Sequence, residues 1–369
     1  MLDQYNFTKK LSEVSIIFQL TAFSAETAMV LTSIYIPYYA YQLGVTEIEV
    51  GLIGASAGIP YAFIPFLAGR LSDKIGRRKG LLSGIIVVSL CYIMYLLIYY
   101  PSLFILIRVV EGIGWSFVWP SMEAMIGDSK RRLQVYNIMW GLGATIAPYL
   151  GGSLYQFYGA KNVLLLSIFL MMASFIFSIT GKEGMASKNR ANEGYKGNFR
   201  FNPIFFTPFI YGVLSYTLLT FFPIYAEKRT LSLNVSGLVL SVMNFGRLSA
   251  FALSNKTVFG KERIQGYFTI LLGLVPLSLI FFANETILIS LFFLLGFSLG
   301  VTYAYALAKI LSISEANRGY YAGIFESLLG LGAFSGPLIG GLLANLSLNC
   351  IFVMPSIFIL SIAFLKKLM

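Results

Sequence analysis

Apolar positions in this chain come in unbroken runs rather than in alternation. Twelve runs have helix-spanning length: 14–41, 49–69, 80–100, 102–126, 134–158, 161–180, 203–226, 235–253, 264–283, 286–308, 320–345 and 348–365. A helix needs roughly 20 such residues to cross about 30 Å of hydrocarbon. A membrane barrel would instead show segments of about 10 residues with alternating polarity. The pattern therefore predicts an all-α membrane protein with twelve transmembrane helices. The first run is not expected to be a cleaved leader: it is too long, contains Glu26, and lacks a small-residue cleavage site before a polar stretch.

Charge placement tests that count. With both termini on one side, 22 of the 27 Lys and Arg residues fall on that side, including Lys9 and Lys10, the set Arg70 to Lys79, Lys130 to Arg132, and Lys366 with Lys367. Lys161, Lys228 and Arg229 are the three on the other side, and Arg108 and Arg247 lie inside spans. A wrong helix count would scramble this alternation, and the asymmetry predicts cytoplasmic termini in a cell membrane. The net charge of +11 is thereby explained as topology, and no nucleic-acid partner is expected.

The halves repeat one another. Gly141-Leu142-Gly143-Ala144, Pro148 and Gly151-Gly152 recur 189 residues later as Gly330-Leu331-Gly332-Ala333, Pro337 and Gly340-Gly341, with seven of twelve positions identical. A weaker echo relates Leu43 through Gly51 to Leu231 through Gly237. The longest hydrophilic stretch, 181–202, separates six spans from six and has the Gly, Asn, Ser and Lys content of a flexible linker. The expected organisation is a bundle over 1–180, a cytoplasmic linker over 181–202 and a second bundle over 203–369, a parallel repeat of the kind found in secondary transporters.

Composition agrees and excludes several chemistries. Hydrophobic residues make up 57% and charged residues only 12%, with a mean hydropathy of +0.77, far from the roughly 25% charge of a water-facing chain. There is no histidine, which removes His-based triads, His metal sites and histidine proton relays. Cys91 and Cys350 lie far apart within apolar runs, so no metal centre is expected. Gly54-Ala55-Ser56-Ala57-Gly58 matches a nucleophile-elbow pattern, but no histidine exists to activate the serine and the stretch is helical. Gly330-Leu331-Gly332 with Gly336 follows no strand and reads as helix packing, and there is no P-loop. No enzymatic activity and no cofactor are expected.

Between the second and third spans stands Gly69-Arg70-Leu71-Ser72-Asp73-Lys74-Ile75-Gly76-Arg77-Arg78-Lys79-Gly80. It resembles the signature loop of the major facilitator superfamily, G-x-x-x-D-[RK]-x-G-[RK]-[RK], at every defining position. The fourth span adds Arg108-Val109-Val110-Glu111-Gly112-Ile113-Gly114, similar to the family's R-x-x-x-G-x-G element, followed by Pro120, Ala124 and Asp128. The resemblance, closest to the drug and solute:proton antiporter branches, implies two pseudo-symmetric six-helix bundles rocking about a central site. It also implies a cytoplasmic latch in which Asp73 and Arg77, with Gly69, Gly76 and Arg78 in the same loop, meet Asp128. The proline-glycine element of that family is represented by Gly336, Pro337, Gly340 and Gly341 in span eleven. In span five it is reduced to Pro148, Gly151 and Gly152, with Ala147 ahead of the proline. Packing and helix bending are the expected role of both copies.

Ionisable residues inside spans carry the functional information, since an ionised group at mid-membrane costs roughly 3 kcal/mol or more without a partner or water. They are Glu26, Arg108, Glu111, Glu123, Arg247 and Glu326. Arg108 and Glu111 lie three apart on one helical face and are candidates for an internal ion pair. Alternatively Arg108 lines the substrate cavity and Glu111 couples protons. Arg247 and Glu326 lie roughly 10 Å deep from the same side and are expected to pair, or else Arg247 holds an anionic group of the substrate. Glu123 is expected to be wetted near a helix end, with little functional weight. Glu26, roughly 18 Å along its helix, is the expected proton carrier, with Glu111 near it in depth. Tyr35, Tyr38, Trp115, Trp119, Tyr216 and Tyr303 are candidate cavity aromatics.

The sequence therefore predicts a secondary transporter in the lipid bilayer, acting as a monomer on a small-molecule substrate. Proton-coupled export of a drug-like or amphipathic compound is the first reading. A facilitator or importer of a polar or anionic solute, or a non-transporting protein on the same fold, are the alternatives.

Overall fold

Prolines and glycines decide where the predicted spans break and how closely they approach. The computed structural model describes residues 2–126, 130–180, 203–253, 261–282, 284–313 and 318–368. The described helices of the first half are α1 (Leu2–Gln42), α2 (Glu47–Ser56), α3 (Gly58–Phe63), α4 (Pro65–Ile75), α5 (Arg77–Leu97), α6 (Phe104–Ile126), α7 (Lys130–Tyr158) and α8 (Ala160–Thr180). Those of the second half are α9 (Phe206–Lys228), α10 (Leu233–Leu253), α11 (Glu262–Ser278), α12 (Glu285–Leu311), α13 (Arg318–Leu346) and α14 (Cys350–Leu368).

The helices α2, α3 and α4 are one span in three pieces. Their joints at Ala57 and Ile64 keep right-handed helical dihedrals, and Pro60 and Pro65 each remove a rung from the hydrogen-bond ladder. Counted as one, they bring the total to the twelve spans expected, and eight of these are by themselves long and apolar enough to cross a membrane. The second span runs on to Ile75, and α1 begins at Leu2 rather than at 14. Hydropathy marks where a helix meets lipid, whereas its backbone bonding continues beyond. Gly76 turns the chain from α4 into α5 at φ +101°, a conformation that a side chain would strain. The expected linker over 181–202 lies outside the described residues.

Two six-helix bundles result. In the first, α1 packs on α7 and α8, and α5 on α6; in the second, α10 packs on α12, α9 on α13, and α11 on α14. The bundles meet along two seams, α7 with α10 and the α2–α3 segment with α13. The repeated proline-glycine elements lie on these seams. A Cβ on Gly51 would stand 2.5 Å from the Pro337 carbonyl oxygen, and one on Gly237 would collide with the Pro148 carbonyl in the same way. Gly152 meets the Leu233 carbonyl, and Gly341 meets Glu47 and Gly51. Within the second bundle, Gly332 and Gly336 lie on the backbone at Phe209 and Val213, and Gly340 faces the Phe221 ring. Within the first, Gly151 lies on the Tyr35 ring. Small residues thus bring helices to backbone contact, the packing that substitutes for a hydrophobic drive inside lipid.

Pro148 has no N–H to give Ala144 four residues earlier, so that carbonyl is freed. Asn244 Nδ2, across the seam on α10, donates to the Ala144 oxygen at 2.9 Å. At the end of the molecule distal to both termini, Lys228 Nζ bridges to Glu47 Oε1 at 3.1 Å. Nearby, Ser153 Oγ donates to Asn234 Oδ1 at 3.0 Å and the Asn234 amide to Gln156 Oε1 at 2.8 Å. All four contacts join the halves, and the last three close the distal end.

Inside the first bundle, Arg108 Nη1 donates to both carboxylate oxygens of Glu111, at 2.9 and 3.0 Å, with the two residues 2% and 0% exposed. Glu111 also accepts from the Tyr95 hydroxyl at 2.8 Å, Trp115 Nε1 at 3.2 Å and Thr32 Oγ1 at 3.3 Å. The carboxylate is saturated and ties α6 to α1 and α5.

Two stability measurements follow from these contacts. Removing either Arg108 or Glu111 strands a buried charge, so Arg108→Ala and Glu111→Ala should each cost about 3–5 kcal/mol, and the double variant should cost clearly less than their sum in thermal unfolding. Asn244→Ala should cost about 1–3 kcal/mol by leaving the Ala144 carbonyl without a donor. Adding Pro148→Ala restores a backbone N–H to that carbonyl, so the double variant should recover stability; a further loss would show that the Asn244 contact does not serve the proline break.

Candidate functional site

Four ionisable residues remain once the Arg108–Glu111 pair is set aside, and the fold gathers them between the halves. Glu26 stands on α1, nine residues beyond Ile17 where the apolar part of that helix begins, about 14 Å along it and close to mid-depth. Glu123 comes from the last turn of α6, Arg247 from α10 and Glu326 from α13. Tyrosines hold them within electrostatic reach of one another. Tyr136 on α7 feels Glu123, Glu26 and Glu326, Tyr216 on α9 feels Glu26, Glu326 and Arg247, and Tyr303 on α12 feels Glu326, Glu123 and Arg247. Glu326 also lies beside the hydroxyl of Tyr61 on α3. Eight spans, four from each half, therefore line one chamber.

Access to solvent is graded across it. The Glu123 side chain is exposed, while Glu326, Arg247, Tyr61, Tyr216 and Tyr303 are half-buried and Glu26 is 6% exposed. No ion pair joins any of the four charges among the described residues. Arg247 Nη1 donates to the Tyr211 hydroxyl, its guanidinium lies 5.0 Å from the centre of the Trp140 ring, and the Glu26 carboxylate acts on it electrostatically. The buried Tyr136 hydroxyl lies beside the Glu123 carboxylate. Among the described residues no acidic cluster is tight enough to hold a metal ion.

Several expectations need correction. Arg247 does not pair with Glu326; the Tyr211 hydroxyl and the Trp140 face take that place. Arg108 and Glu111 face each other inside the first bundle, because Tyr95, Trp115 and Thr32 draw the carboxylate away from Glu26 and the chamber. Trp115 and Trp119 stack at 5.7 Å within the first bundle's core and do not line the chamber. Tyr35 donates to the Pro148 carbonyl, and Tyr38 packs edge-on to Tyr155 at 5.2 Å; both belong to distal packing. Tyr216 and Tyr303 stand within electrostatic reach of Glu326 and Arg247.

Glu123, Tyr61, Tyr136 and Trp140 carry more than the sequence promised. Glu123 is exposed, and it lies beside Tyr136 and within electrostatic reach of the Glu326 of the opposite half. The available signal was that Tyr136 and Trp140 lie four apart, on one face of the helix that carries the repeated glycine element. In the signature loop, Arg77 Nη1 donates to the Ala124 carbonyl at 2.7 Å, at the C-terminal turn of α6 where the helix dipole favours a cation. Arg78 stands beside it in the first turn of α5, and Gly69 within α4. The Asp73 side chain and Asp128 lie outside the described residues, and the expected latch falls there.

Comparison with known proteins agrees with this architecture. A sequence profile of the Major Facilitator Superfamily matches residues 18–284. The chain is 25% identical over 345 residues to quinolone resistance protein NorA of Staphylococcus aureus (strain COL), covering 85% of each chain. It is 24% identical over 336 residues to multidrug resistance protein 2 of Bacillus subtilis (strain 168), covering 81% of each. The crystal structure of nucleoside transporter NupG superposes with a TM-score of 0.80 at 13% identity, over 96% of this chain and 98% of that one, a likeness of fold. With its profile match over most of its length and its two six-helix bundles, the chain belongs to the Major Facilitator Superfamily of multi-pass membrane transporters.

Proposed function

We propose that this transporter exports an amphipathic, drug-like compound across the plasma membrane in exchange for protons. The observation that carries this reading is the chamber itself: three carboxylates, Glu26, Glu123 and Glu326, lie between the two halves, and none of them is in an ion pair among the described residues. A carboxylate that holds a proton cannot also hold the cationic group of a substrate, and that mutual exclusion is the physical basis of exchange. Half-buried tyrosines give the chamber apolar faces with polar edges. The similarity to NorA and to multidrug resistance protein 2 supports the same substrate class.

In this reading residues 1–180 and 203–369 are the two rocking bodies, joined by the segment 181–202, and one monomer is the working unit. The distribution of basic residues supports cytoplasmic termini, so the closed distal end faces outward. Import or facilitated passage of a polar or anionic solute is the second reading, favoured by the half-buried Arg247, which makes no ion pair among the described residues, and by the NupG-like fold.

Uptake into proteoliposomes separates the two. A quaternary ammonium dye has no neutral form that follows a pH gradient passively, so gradient-driven accumulation reports exchange, and its absence would sink the export reading. Glu26 is the proposed proton carrier, the deepest of the chamber acids. Glu26→Gln should keep dye binding and dye–dye exchange while losing accumulation driven by the pH gradient; full accumulation in that variant would remove Glu26 from the role. The latch proposed for Asp73, Arg77 and Asp128 gives a separate expectation. Asp73→Asn should insert normally yet transport about 5-fold or more slowly, as loss of a contact made in only one access state would require. Unchanged transport and an unchanged access distribution would reject the latch.

A further inference from the structure

The two seams between the halves are built on one repeat but finished differently. Gly51 and Gly237 occupy matching places, each admitting a proline-element carbonyl from the other half. Counting on from them sets the seams side by side. Ser241, four residues past Gly237, corresponds to Ala55, and Asn244, seven residues past it, corresponds to Gly58. The contacts keep that register. Asn244 reaches Ala144, whereas a Cβ on Gly58 would stand 2.9 Å from the carbonyl carbon of Ala333 and 2.6 Å from the Phe334 nitrogen. Ala144 and Ala333 are 189 residues apart, as Pro148 and Pro337 are.

At the α7–α10 seam both matched positions hydrogen-bond across. Asn244 Nδ2 donates to the Ala144 oxygen at 2.9 Å and the Tyr149 amide donates to Ser241 Oγ at 2.9 Å, with Asn244 4% and Ser241 8% exposed. Ala55 and Gly58 have no side-chain donor or acceptor, so the seam of α2 and α3 with α13 closes at this level by apolar contact against backbone. Parting the first seam strands two backbone groups where water is scarce, and sliding the second at this level strands none. Nearer the chamber, Tyr61 of α3 stands beside Glu326 of α13. A polar contact across the second seam therefore involves a chamber acid, whose proton or ligand comes and goes in the proposed exchange.

We infer that the seams are mechanically unequal: α7 and α10 form a pivot held at Asn244 and Ser241 in both access states, while α13 slides along α2 and α3. Such a pivot presupposes that residues 1–180 and 203–369 are the two moving bodies, as proposed above, and it replaces a symmetric rocking by a swing about one side of the molecule. Asn234 stands ten residues before Asn244 on α10, about 15 Å toward the distal end. It lies beyond the pivot, and its contacts with Ser153 and Gln156 open in the swing.

Distances between paired spin labels test this in the full chain with Cys91→Ala and Cys350→Ser, reconstituted in lipid after its dye transport has been verified. Three label pairs occupy exposed positions: Tyr99→Cys with Phe281→Cys across the distal end, Ile146→Cys with Phe245→Cys beside the pivot, and Ile59→Cys with Ile339→Cys beside the sliding seam. Each is measured with and without saturating quaternary ammonium dye, at neutral and at acidic pH. In conditions that move the distal pair by about 5 Å or more, the Ile59–Ile339 distance should shift by about 3–5 Å and the Ile146–Phe245 distance by less than about 2 Å. Equal shifts at the two seams, or the larger shift at Ile146–Phe245, would overturn the pivot and leave the two moving bodies standing. A distal distance that stays fixed in every condition while dye is transported counts against the moving bodies themselves, and the pivot falls with them.

Ser241→Ala combined with Asn244→Ala adds a readout that loss of packing alone does not move. Bonds present in both access states drop out of the balance between them. The variant should melt lower and widen the Ile146–Phe245 distribution, yet keep the ratio of the two distal-distance populations within about twofold of the unsubstituted protein. A larger change in that ratio would assign the bonds to one state and overturn the pivot. The label series decides even if this variant fails to fold.

Discussion

Inside hydrocarbon there is no water to satisfy a charge or a broken backbone bond, and that constraint sorts this protein's polar groups into two kinds. Those completed by the protein are structural. Glu111 is the clearest, with Arg108, Tyr95, Trp115 and Thr32 all donating to one carboxylate. Those left incomplete are gathered where the halves meet, and there Glu26, Glu123, Glu326 and Arg247 face a shared chamber. A charge without a partner at that depth is tolerable only if water or a ligand supplies one.

The same constraint shapes the seams. Prolines soften α7 and α13 but free backbone carbonyls, and the opposite half takes up the consequence at Ala144 through Asn244. Gly51 and Gly237 play matching parts, each admitting a proline-element carbonyl from the other half. The interface is therefore made of backbone surfaces and small residues, with few long side chains to unlock. Such a seam can separate and re-form without dismantling either bundle's core, which suits alternating access. The distal contacts, Glu47 with Lys228 and Asn234 with Ser153 and Gln156, are polar and near the aqueous boundary, where breaking them exchanges protein partners for water at little cost.

Sequence alone determined the number of spans, the internal repeat and the family, and it supports the proposed alternation of the spans across the membrane. These follow from one-dimensional properties: hydrocarbon thickness fixes run length, basic residues mark one side, and the loop from Gly69 to Gly80 keeps its order of glycine, acid and base. It also identified the buried Arg108–Glu111 pair as one of two possibilities, because a spacing of three places both on one helical face. Which charges belong together across helices was decided only by the tertiary structure. Arg247 and Glu326 share a depth, yet rotation of α10 turns the arginine to Tyr211 and Trp140, while Glu123, discounted for lying near a helix end, is brought against Tyr136 and the opposite half. Depth along a helix can be read from residue count, but the azimuth of a side chain about its axis is set by packing against helices far away in sequence, and the chamber is a property of those azimuths.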